Sequence, residues 1–351
     1  MNCTRAAMAG AGLIGAFFSC AFGADSIPTA PPSAPPSALR ARVVTVQDRQ
    51  ATEAFRPIPT RIDAMVERGL KGITGKPTSR EAWLSLLSTQ DIVGIKVYSA
   101  PGQNSGTRPP VAATLAKSLI AAGLAPRQII VWDKSEADLR EAGFFELADE
   151  LGIRVAGSAA AGYDPLEFYD TPLLGNLTWG DLEFGKTGEG IGRKSFVSKL
   201  VTRELTKIIN LTPLLNHNLA GVSGNLYGLA VGSVDNTFRF ENDPTRLAKC
   251  VPEIYAMASV GDKVVLSITD GLICQYEGGQ RGLLHYSTVL NQIRFSRDPV
   301  ALDMLSVKEL DRQRRTTRSP YLKPNFELYV NAALLELGVS DVTKIQVETL
   351  K

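Results

Sequence analysis

Apolar and polar positions alternate along this chain in two rhythms, short apolar runs and stretches with one apolar face. The run VVTV within Ala41–Gln47 predicts a first strand. Ile62, Met65, Val66 and Leu70 share one face of a helix over 58–70, and Thr78-Ser79 caps a second helix through Trp83, Leu84, Leu86 and Leu87. Asp91–Tyr98 (DIVGIKVY) reads as a buried strand that enters a turn-rich loop, SAPGQNSGTR. Pro109-Pro110 open a helix that Gly123 closes. RQIIVWD at 127–133 is the next strand, followed by a helix over 135–151 and a short strand at 153–156.

The rhythm then breaks. Residues 157–195 carry Gly, Tyr, Asp and short alternations such as LTWGDLEF, the pattern of a small β-rich insertion. Within it, GKTGEGIGRKS fails as a phosphate loop, because Arg193 stands where the glycine before Lys-Ser is required. The chain returns to the sheet over 196–211, forms a helix over 244–260, and gives strands at 263–269, ending on Asp270-Gly271, and at 292–295. Asp298-Pro299 start a helix with the apolar face Val300, Met304, Val307 and Leu310; a last helix over 325–337 stops at Gly338. Strand–helix–strand order of this kind predicts an α/β fold, with a mixed, mainly parallel sheet flanked by helices and the insertion at 157–195. Ligands in such sheets sit beyond the carboxyl ends of the strands.

Composition adds a compartment. Arg5 followed by the uncharged stretch Ala6–Phe22 reads as a signal peptide over residues 1–24. Residues 25–38, DSIPTAPPSAPPSA, read as a Pro/Ala/Ser-rich tether, leaving 39–351 as a single α/β domain. Export to a bacterial periplasm follows; a lipoprotein anchored through Cys20 is the lesser alternative, since Phe17-Phe18-Ser19 is a poor lipobox. No stable transmembrane span is expected in the mature chain. The formal charge of +2 gives no reason to expect nucleic acid as a partner. The mature chain keeps Cys250 and Cys274, which either pair in an oxidising compartment or stay as buried thiols. Two cysteines cannot hold an iron–sulfur cluster.

The candidate chemistry lies at strand ends. Lys96 ends one strand and either snorkels to solvent or binds a substrate charge. Asp133 ends the next and either caps a helix or serves a metal or a proton transfer. Asp270 closes a third strand, where an Asp-Gly turn is the competing explanation. His217 follows the strand Ile208–Leu211 in a loop flanked by Asn216 and Asn218, placed for acid/base work, metal ligation or a structural hydrogen bond. Glu277 on a Gly-rich loop and Asp298 at a helix start are secondary candidates. His217 with Asp133 and Asp270 would suit a divalent metal that accepts mixed oxygen and nitrogen ligands.

Taken in order, DIVGIK (91–96), IVWD (130–133), IINL (208–211), HNLAGV (217–222), SVDN (233–236), Asp270-Gly271 with YEGG (276–279), and RDPVALD (297–303) resemble the DUF362 family across roughly 43–339. The resemblance implies an α/β fold and, often, export. Some relatives carry ferredoxin-like iron–sulfur modules, which implies a redox partner by analogy; this chain has no such motif. Relatives usually carry Lys directly before the His and a second Lys-Asn pair further on. Here Asn216 and Tyr227/Gly228 stand at those places. Two functions are therefore expected as alternatives: a metal-assisted or acid/base enzyme acting on a small anionic or polar substrate, or a non-catalytic periplasmic ligand-binding or accessory protein retaining the fold.

Overall fold

The computed structural model describes residues 40–319 and 326–351. The signal peptide and tether expected over 1–38, with Cys20, lie outside the described residues, as does residue 325 at the start of the last expected helix. Residues 39–351 form one unit.

Among the described residues, a mixed sheet of nine strands organises that unit. Its long strands are β1 (Ala41–Gln47), β2 (Val93–Lys96), β3 (Ile129–Asp133), β4 (Arg154–Gly157), then β7 (Lys207–His217), β8 (Val264–Gln275), β9 (Ser287–Ser296) and β10 (Ile345–Leu350). The intervening β5 (Tyr163–Asp170) and β6 (Lys194–Ser198) form a separate antiparallel pair, which is the expected insertion. The order across the main sheet is β10-β1-β9-β8-β7-β2-β3-β4, with Gly221–Val222 pairing on β7. Neighbours from β8 through β7, β2 and β3 to β4 are parallel; β9 runs antiparallel to β1 and β8. The C-terminal strand β10 has no counterpart in the sequence reading, because its residues, IQVETL, mix exposed polar positions with only one buried apolar side chain. It pairs in parallel with β1.

Each face of the sheet carries its own apolar layer. One packs α1 (Pro59–Thr74), α2 (Ser79–Leu84), α3 (Pro109–Ala122), α4 (Glu136–Glu141) and α5 (Phe144–Leu151) through residues such as Met65, Trp83, Leu115, Leu139 and Phe144. The other packs α6 (Asn225–Ser233), α7 (Phe238–Glu241), α8 (Pro244–Tyr255), α9 (Pro299–Thr317) and α10 (Glu327–Leu334) through Leu226, Phe240, Val251, Leu302 and Leu328. Burial of each large apolar side chain in these layers contributes about 1.5–3 kcal/mol before conformational entropy is charged against it. Proline and glycine set the helix limits as the sequence predicts: Pro109 opens α3, and Gly123, with φ at 113°, closes it. Among the described residues no helix is long and apolar enough to cross a membrane.

One strand differs from expectation in a way that matters for the site. The strand expected to end at Asp270 continues through Gly271 to Gln275 as β8, with a register shift between Gly271 and Ile273. Asp270 is therefore inside a strand and not at its end.

Cys250 on α8 and Cys274 on β8 are both free, buried thiols, which excludes the disulfide alternative.

Candidate functional site

The parallel strands β2 and β3 end side by side, with Lys96 opposite Trp132 in register. That brings Lys96 and Asp133 together: the Lys96 ammonium donates to Asp133 Oδ1 at 2.7 Å and to the Val97 carbonyl at 2.6 Å. Asp133 Oδ2 accepts from the Ser99 amide and hydroxyl, both at 2.7 Å. The two side chains are 1% and 8% exposed. From above, α6 covers Lys96: a Cβ on Gly232 would lie 2.3 Å from Lys96 Cε. Lys96 therefore has its charge satisfied internally and holds Asp133 in place. It does not reach open space to meet a substrate, as the sequence reading expected.

Asp270 lies elsewhere. It shares the side of β8 occupied by Leu266 and Ile268, which pack in the layer of α1 and α3. Lys96 follows Ile95, a member of that same layer, so alternation sends its side chain to the opposite face. Asp270 is fully buried; Arg108, at the start of α3, places its guanidinium 2.9 Å from Oδ2 and its amide donates to the same oxygen at 3.2 Å. The Leu272 amide donates to Oδ1 at 3.2 Å. This is a structural ion pair on the far side of the sheet.

His217 ends β7. Its Nδ1 accepts the amides of Leu219 at 3.2 Å and Ala220 at 2.9 Å, which leaves Nε2 to carry the proton of a neutral imidazole. Burial holds its pKa down at about 4. The ring lies 4.3 Å, centroid to centroid, from Tyr227 on α6. Tyr227 in turn accepts from Gln280 Nε2 at 2.8 Å and donates to Glu241 at 3.4 Å. Burial raises the Tyr227 pKa, with Glu241 adding to it.

Two adjoining recesses meet at this tyrosine. The larger encloses about 980 Å³ and is lined by His217, Glu277, Arg281 and Tyr286 among others. The smaller encloses about 330 Å³ and is lined by Tyr98, Asp133, Lys134, Asp138, Trp179 and Asp181 among others. Tyr227, Phe238, Glu241 and Gln280 line both. His217 and Asp133 thus stand on the two sides of a shared wall. Trp179 and Asp181 come from the insertion, which is tied down by the segment after α6. Asp235 accepts the amides of Phe196 at 2.6 Å and Leu182 at 2.8 Å, and Arg239 donates to Thr171 Oγ1 at 2.6 Å and Ser195 Oγ at 2.8 Å. Burial pushes the Asp235 carboxyl up to about 6.

The Gly-rich stretch that leads into α6 is filled from within. Asp303 on α9 accepts the Asn225 amide at 2.7 Å, the Asn225 side-chain amide at 3.0 Å and the Leu226 amide at 2.9 Å. Gly224 is required by this approach, since a Cβ there would lie 2.2 Å from Asp303 Oδ1. Burial lifts the Asp303 carboxyl to about 6, with those three donors working against the rise. The first turn of α6, a ready anion position, is therefore occupied by the protein's own carboxylate. Asn216 Oδ1 accepts from the Arg314 guanidinium. Arg314 also meets Glu277 at 3.0 Å, so Glu277 faces the larger recess as half of an ion pair. Asp298 caps α9, accepting from Ala301 and Val339 amides, both at 2.8 Å. The three residues expected as metal ligands stand apart, and among the described residues no group of three His, Cys, Asp or Glu side chains is placed to hold a metal.

Lys134, Glu241 and Tyr227 are among the recess residues that are not candidates from the sequence. Lys134 donates to Thr237 Oγ1 at 2.9 Å, and burial lowers its pKa against the pull of Glu241, Asp181, Asp235 and Asp133. Its position directly after Asp133 was the available signal.

A crystal structure of a Thermotoga maritima protein from the Northeast Structural Genomics Consortium is similar at 12% identity and a TM-score of 0.40, covering 78% of this chain. The chain spans 61% of the length of that structure. No curated protein matches the chain. The model of the DUF362 family, described as a domain of unknown function, matches residues 93–308, from the start of β2 into α9, and the chain belongs to that family.

Proposed function

We propose that the protein is an exported small-molecule-binding protein, and that the paired recesses around Tyr227 are its ligand site. One observation carries this reading: the two recesses share Tyr227, Phe238, Glu241 and Gln280. A ligand lying across that wall would meet the Nε2–H of His217 at one end and the Asp133–Asp138 edge at the other. Each recess, at about 980 Å³ and 330 Å³, falls within the size range of small-molecule sites. The uncharged lead Ala6–Phe22 and the Pro-rich tether support export.

A thermal-shift screen of polar metabolites against the full chain tests the reading. A ligand at a hundred times its Kd adds about 2.7 kcal/mol to apparent stability. Tyr227→Ala is expected to abolish the shift given by any hit. Equal shifts in that variant would place the binding elsewhere and overturn the assignment.

A second reading, acid/base catalysis on the bound molecule, is favoured by Lys134, a recess lysine whose burial eases its deprotonation. Turnover of a hit that survives Lys134→Arg with an unchanged pH profile would remove Lys134 from that role. A site joining His217, Asp133 and Asp270 on one metal is not part of either reading, because those residues occupy three separate places.

A further inference from the structure

Resting on the ligand-site reading above, we propose that the smaller recess takes an organic cation, an ammonium or guanidinium group held between carboxylates and aromatic faces. Three carboxylates on its lining, Asp138, Asp181 and Glu241, make no ion pair among the described residues. Asp133 is already neutralised by Lys96. The opposing cation on the lining is Lys134, which donates to Thr237 and offsets part of the charge of Glu241 and Asp181. Negative charge therefore exceeds positive charge around this space, and an anionic ligand would enter against it.

The rings are an independent observation. Tyr163, Tyr227, Trp179 and Phe238 line the same recess. Trp179 is 89% exposed and Phe238 53% exposed, so much of their ring surface packs against nothing in the chain. Aromatic faces attract ammonium and guanidinium groups through the ring quadrupole, and a desolvated cation gains most. Carboxylates alone would serve a metal ion or water equally well. Rings alone would serve any apolar molecule. Together, in a space of about 330 Å³, they select a small cation with an organic surface.

The test is calorimetric titration of the full chain with choline, putrescine and agmatine, alongside the uncharged carbon isostere of choline and succinate. At least one cation is expected to bind. The isostere should bind at least about tenfold more weakly, and Glu241→Gln and Trp179→Ala should each weaken the cation several-fold, roughly the range of one charge or one cation–π contact. Binding of the isostere or succinate as tight as the cations would overturn the proposal and leave the ligand-site reading standing. Failure of all three cations would also overturn it; the ligand-site reading falls only if the broad polar screen finds nothing that depends on Tyr227.

Discussion

The carboxylate of Asp303 closes the first turn of the helix that carries Tyr227: the Leu226 amide donates to Oδ2 at 2.9 Å and the Asn225 amide to Oδ1 at 2.7 Å. A residue on α9 thereby fixes the start of the element that forms the shared wall of the recesses. Asp303→Asn keeps the shape but turns one acceptor into a donor facing amides. The expected loss is about 2–4 kcal/mol, the range for breaking a buried charge-assisted network, read from urea unfolding.

The same carboxyl gives a pH signature. Its folded pKa, about 6, lies above its ordinary value of 3.8, so the native state holds the proton more tightly than the unfolded chain. The associated stability is complete below about pH 4 and is lost as pH rises through 6. Melting curves across that window should show the advantage of the wild type over Asp303→Asn shrinking by up to about 3 kcal/mol as pH rises. A constant difference would show that burial does not raise the pKa of this carboxyl.

His217 behaves in the opposite sense. Its folded pKa, about 4, lies below the ordinary 6.5, so the unfolded chain takes the proton first on acidification. Neutral His217 contributes stability that is complete above about pH 6.5 and is lost as pH falls towards 4, worth up to about 3 kcal/mol against His217→Gln. Nitrogen chemical shifts should report the Nε2–H tautomer and no protonation down to about pH 5. An imidazole that titrates near its ordinary value would show that the ring leaves the amides of Leu219 and Ala220.

Lys96 and Asp133 should behave as one buried unit. Lys96→Met alone strands a carboxylate, for a loss of about 3–5 kcal/mol; adding Asp133→Leu should recover part of it. A double-mutant cycle in urea measures the coupling, and additive effects would show that the pair does not act together.

Much of this was legible in the chain, and the failures have physical causes. Lys96 and Asp133 were found because adjacent parallel strands of known order must end at one rim. Their mutual neutralisation was not visible, because register, and not composition, sets the 2.7 Å contact. Asp270 was misplaced because Asp-Gly is a turn signal. The stronger signal was the alternation Leu266, Ile268, Asp270, which puts the acid on the layer of α1 and α3, away from the face of Lys96. Tyr227 read only as a missing lysine, since nothing local shows that the ring of His217 will lie against it. Glu241 and Trp179 come to the recess from α7 and the insertion, through contacts with Asp235 and Arg239 that no periodicity reports.

That separation of faces gives the sharpest contrast between two acids. Asp270→Asn breaks a fully buried pair with Arg108 and should cost about 3–5 kcal/mol, yet leave the affinity of the folded protein for any recess ligand unchanged. Glu241→Gln removes a half-buried carboxylate whose hydrogen bond among the described residues is to the Tyr227 hydroxyl at 3.4 Å, so stability should stay within about 0.5 kcal/mol while ligand affinity falls. Stability from urea unfolding and affinity from titration separate the two. If Asp270→Asn instead weakened the ligand at constant stability, the functional acid would lie on the face of α1 and α3, and the recess around Tyr227 would not be the site.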